Sequence, residues 1–182
     1  MTGDRLRIAA SASIAGITAG FVAGGLARLA MRLIVVLRGD APDFSLIATA
    51  GIVITFIAMA AALAVTYALV SRGLRRGPAP VWWALAGLGL LACVLFLTPL
   101  RQELDRGPQF VVLFIPVGLL LGWLSAWLTK AVAELLPEAA GGLQLGGYAV
   151  LAVPGVLSLV ALPILMLVGI LQVIGVIPVP TN

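Results

Sequence analysis

Five long apolar stretches, separated by charged residues and by Pro/Gly punctuation, run along the chain at 8–37, 45–70, 81–100, 110–129 and 148–177. Each reaches or exceeds the about 20 residues that a helix needs to cross about 30 Å of hydrocarbon. Backbone N–H and C=O groups in lipid must pair within their own segment, so all five are predicted to be transmembrane α-helices. The intervening loops are short, the longest at 130–147, and none could fold separately. The expectation is an all-α, polytopic helical bundle forming a single integral membrane domain over 1–182. Asp4, Arg5 and Arg7 ahead of the first stretch resemble the start of a secretory signal. The apolar run that follows far exceeds the about 7–15 residues of a cleaved signal core, which predicts a retained first helix.

Composition agrees with this pattern and removes several kinds of chemistry. Hydrophobic residues make up 62% of the chain and charged ones 10%, against about 25% charged in an average soluble domain. So few charges could not cover a water-soluble globule of this size. There is no His and one Cys, Cys93, which excludes His-based acid/base mechanisms, bis-His haem, intrachain disulfides and thiolate metal cages. None of the five spans holds an Asp or Glu, so a proton relay of intramembrane carboxylates has no residues to use. The expectations are no cofactor, no metal and no enzymatic activity. Ten Arg and one Lys against seven acids give a net charge of +4. In this setting the excess points to anionic lipid headgroups as partners rather than nucleic acid.

Loop charges predict orientation. Five spans put Arg5, Arg7, Arg72, Arg75, Arg76 and Lys130 on the N-terminal side and Arg38, Arg101 and Arg106 on the other, six against three. That excess favours a cytoplasmic N-terminus and an outer C-terminus; counting Arg28 and Arg32 as loop residues narrows it to six against five. Tyr67, Trp82, Trp83, Trp123, Trp127 and Tyr148 fall near span ends on the N-terminal side, as an interfacial aromatic belt would. The two outer loops rhyme: Leu37-Arg38, Asp40 and Pro42-Asp-Phe44 in one, Leu100-Arg101, Asp105 and Pro108-Gln-Phe110 in the other. This fits two tandem hairpins plus a fifth helix, although Pro-x-aromatic also simply starts helices well.

The most regular motif lies in the first span, where Gly16, Gly20 and Gly24 follow Ala12 and lead into Arg28 and Arg32 at a constant four-residue step. Such a step turns a helix by only about 40°, so these residues share one slowly drifting face. A glycine ridge lets another backbone come close, either in an oligomer or within one subunit. Gly118 and Gly122, followed by Ala126 and Lys130, form a shorter ridge on the fourth span and are a candidate partner. With the middle of the first span near Val22, Arg28 sits about 9 Å and Arg32 about 15 Å from the midplane. Their candidate counter-charges are Asp40, Asp43, Glu103 and Asp105, or a lipid phosphate. Pro154 and Pro163 interrupt the fifth span, freeing roughly the carbonyls of Val150 and Leu159. Thr18, Thr49, Thr55, Thr66 and Ser158 are expected to bond their own helix or a neighbour.

The run Gly-Gly-Leu-Ala-Arg28-Leu-Ala-Met-Arg32-Leu, the Pro42-Asp-Phe44-Ser45 entry and Thr98-Pro99-Leu-Arg101-Gln-Glu103-Leu resemble small, uncharacterised multi-pass membrane proteins of actinobacterial type. The resemblance covers the first four spans. It implies a compact helical bundle in a bacterial plasma membrane and no particular activity. Two functions follow as expectations. One is a non-catalytic protein acting by helix packing, as a homo-oligomer or as an accessory subunit among other membrane subunits. The alternative is a small channel or permease for an anion or anionic lipid that uses Arg28 and Arg32.

Overall fold

A computed structural model describes residues 2–37, 39, 45–73, 79–96, 109–137 and 142–173. Of these, 97% are helical and none is in a strand. The helices are α1 (Thr2–Leu37), α2 (Leu46–Gly73), α3 (Ala79–Phe96), α4 (Gln109–Leu135) and α5 (Gly142–Val173). Among the described residues, four segments are long and apolar enough to cross a membrane: Gly3–Leu37, Leu46–Val70, Ile115–Leu135 and Gly142–Ala161. The third expected span, 81–100, runs past the described end of α3, and the last expected residues of the fifth, 174–177, also lie outside the described residues.

Helix ends differ from the apolar boundaries wherever a charged or polar turn continues the helix. α1 begins six residues before the apolar run and includes Asp4, Arg5 and Arg7. α4 continues to Leu135 through Lys130 and Glu134, and α5 starts at Gly142 rather than at Tyr148. Residues 130–135 and 142–147 of the expected loop are therefore helical. Hydropathy marks where hydrocarbon stops, whereas a helix ends only where its hydrogen-bond ladder does. At the far end of α1 that stop is Gly39, whose φ of 79° suits glycine and whose N–H donates to the Val36 carbonyl at 2.9 Å.

α1 is the central element, packed against α2, α4 and α5, while α3 lies chiefly on α4. The core contains much alanine: Ala19, Ala23 and Ala27 of α1 and Ala60 and Ala62 of α2 are fully buried, together with Met59, Leu63 and Leu121. Small side chains suit a bundle in lipid, where packing rather than water exclusion drives association. The outer faces are apolar, with Phe21, Leu29, Ile54, Leu157, Val160 and Ile164 all exposed. The aromatic belt divides. Trp83, Trp123 and Trp127 are exposed, the last two stacked with ring centroids 6.2 Å apart. Tyr67 and Tyr148, by contrast, are buried: Tyr67 packs in the core, and the Tyr148 hydroxyl donates to the Pro137 carbonyl at 2.8 Å. The Trp82 side chain lies outside the description.

Candidate functional site

The glycine ridge of α1 lies against α2. A Cβ added to Gly16 would fall on the Ala61 backbone and one on Gly20 on that of Ile57, while at Gly24 it would stand 3.0 Å from the Val53 Cα. The partners Val53, Ile57 and Ala61 recur at the same four-residue step in the opposite direction, so the two helices are antiparallel. The expected pairing of this ridge with Gly118 and Gly122 does not occur. A Cβ on Gly122 would meet Leu85 and Ala86 of α3, and one on Gly89 would lie 2.6 Å from the Gly118 carbonyl oxygen and 2.9 Å from the Gly122 nitrogen. Each ridge thus closes its own hairpin, α1 on α2 and α3 on α4.

One further step along the α1–α2 seam, glycine gives way to arginine. Arg28 Nε donates to Thr49 Oγ1 at 3.1 Å, and that hydroxyl donates to the Ser45 carbonyl at 2.8 Å. Ser45 in turn caps α2, its Oγ accepting the Ala48 N–H at 3.2 Å. The same periodicity brings Arg32 level with Ser45. Both arginines are half-buried. Around them Leu29, Leu33, Leu46 and Ile47 are exposed, so the guanidinium groups stand on an apolar surface.

Among the described residues, the formal charge at this end is all positive. It combines two guanidinium groups with the N-terminus of α2, which carries a partial positive charge. The acidic residues among the described ones, Asp4 and Glu134, lie near the opposite end, where α1 begins and α4 finishes. The candidate counter-charges Asp40, Asp43, Glu103 and Asp105 lie outside the described residues. With Nε committed to Thr49, the two Nη groups of Arg28 make no hydrogen bond among the described residues, leaving the planar donor fork that matches a phosphate or carboxylate.

The opposite end is held differently. Arg7 Nη1 donates to the Leu136 carbonyl at 3.3 Å, just beyond the C-terminus of α4, and Nη2 lies 3.2 Å from Asp4 Oδ1. Its charge complements the partial negative charge of that helix end. Halfway along, Thr18, Thr66 and Ser158 donate to carbonyls four residues back in their own helices, as their sequence positions imply. Ser13, absent from the candidates that the sequence pattern offers, is fully buried where α1 meets α5 and accepts the Gly155 N–H at 3.1 Å. Nothing in the local sequence marks it, since its importance comes from a residue far along the chain.

No family model matches the chain, and neither a curated protein nor a solved structure is significantly similar to it.

Proposed function

We propose that this chain is a non-catalytic protein of the bacterial plasma membrane, with its N-terminus in the cytoplasm, that binds an anionic headgroup at Arg28 and Arg32. The observation that carries the reading is the Arg28–Thr49 rung. It fixes the guanidinium through Nε, on an apolar surface, with the Nη fork making no hydrogen bond among the described residues. A lipid phosphate suits the site best, because exposed Leu29, Leu33, Leu46 and Ile47 beside the charge offer contact to acyl chains. An arginine near an anionic membrane surface contributes about 1 kcal/mol, so Arg28 gives a preference of about fivefold over a zwitterionic lipid.

Self-association or an accessory role in a larger membrane complex would have to use another face. Gly16 and Gly20, which suggested an oligomer seam, are filled by α2 of the same chain. The test of the anion site is native mass spectrometry after reconstitution in mixed phosphatidylglycerol and phosphatidylcholine. Wild type should retain the anionic lipid selectively, Arg28→Ala should lose most of that selectivity, and Arg28→Lys should keep part of it. Equal retention of both lipids by wild type, or unchanged selectivity in Arg28→Ala and Arg32→Ala, rules the reading out. A permease role would show as flux of the same anion in proteoliposomes.

A further inference from the structure

The contact between Ser13 and α5 joins three features: a fully buried hydroxyl, a proline and a glycine. Pro154 has no N–H, so the Val150 carbonyl loses its helical partner and the ladder of α5 is weakened at that turn. The next N–H, that of Gly155, donates across the interface to Ser13 Oγ at 3.1 Å. Only glycine allows this approach, since a Cβ at 155 would run into Ser13 Oγ and lie 2.8 Å from Val65 Cγ2. Ser13 Oγ also lies within hydrogen-bond distance of two carbonyls, Ala9 of its own helix at 3.1 Å and Ala152 of α5 at 3.3 Å.

A hydroxyl has one proton, so it donates to one of these carbonyls at a time. Bonded to Ala152, Ser13 holds α5 by two hydrogen bonds; bonded to Ala9, it holds α5 by one. If α5 moves away, Ser13 remains satisfied by Ala9, and the Gly155 N–H still has the helical acceptor four residues back, the Leu151 carbonyl. Opening therefore orphans no polar group beyond the Val150 carbonyl, which Pro154 leaves without its helical partner in either position, so the usual obstacle to such a motion is absent. We propose that Ser13 is a releasable latch on a proline hinge at Pro154, with the part of α5 beyond the hinge swinging against α1.

The latch can be tested in nanodiscs by hydrogen exchange and by spin-label distances, with Cys93 replaced by Ala. Labels at exposed Thr18 and Leu167 span the hinge, and a pair at Thr18 and exposed Val150 serves as the control before it. Ser13→Ala places one more alanine among buried Ala10, Ala12 and Ala15 and should fold. It should raise exchange over 150–158 by about three- to twentyfold, the range covered by interhelical hydrogen bonds in membranes. It should also broaden the 18–167 distance distribution while leaving 18–150 unchanged. Adding Pro154→Ala restores a donor for Val150 and should cancel both effects. Three outcomes would overturn the latch: no change in Ser13→Ala, equal broadening of both label pairs, or loosening in the double variant as large as in Ser13→Ala alone.

Discussion

Thr49 makes Arg28 more than a charge that happens to lie on a helix. Arginine keeps its charge wherever it sits, so half-burying it beside lipid is tolerable only with local partners, and Thr49 supplies one at 3.1 Å. Thr49→Val keeps the shape of the side chain and removes the acceptor. We expect a loss of about 0.5–1.5 kcal/mol, the usual net worth of such a bond, with Thr49→Ser close to wild type. Reversible unfolding in mixed micelles measures this, and equal stability of all three proteins would show that the rung holds nothing. At this scale the sequence was partly informative. The four-residue step showed that Arg28 and Arg32 share a face with the glycines, yet it could not reveal that Thr49 on another helix receives the first of them.

Helix α1 shows how one stripe sets the position of a whole element. Gly16 and Gly20 bring its backbone onto that of α2, while Gly25, one position beyond the seam, has open space where a Cβ would be. Gly20→Ala should therefore force the helices apart, destabilising the protein by about 1–3 kcal/mol as overpacking does. Gly25→Ala should be neutral or stabilising by up to about 1 kcal/mol, because alanine restricts the unfolded chain. Steric-trapping unfolding of both variants tests the pair; equal effects would mean that glycine matters there through helix propensity alone. Gly122→Ala should disturb the α3–α4 pair in the same way. The α1 ridge was legible because glycine is conspicuous among bulky residues. Its partner was not, because α2 is apolar all round and its Val53, Ile57 and Ala61 look like any other membrane residues.

For the molecule as a whole, the Arg7–Leu136 and Tyr148–Pro137 contacts gather the start of α1, the end of α4 and the start of α5 at one end. The antiparallel α1–α2 seam carries Ser45 to the other. Single cysteines at Asp4 and Glu134, in a Cys93→Ala background, should therefore react with an impermeant thiol reagent from the same side of the membrane, and one at Ser45 from the opposite side. Labelling of Ser45 from the side of Asp4 would contradict this topology. The sequence by itself determined that the chain is a bundle of membrane-crossing helices, where the hydrocarbon-length stretches fall and which helix face carries the glycines and arginines. Hydropathy and periodicity are local properties, readable within one segment. Only the tertiary structure decided that the ridges close separate hairpins, that two tyrosines leave the belt for the core, and that Ser13 meets Gly155. In lipid nearly every surface is apolar, so the choice of partner rests on steric fit and a few hydrogen bonds between residues far apart in the chain.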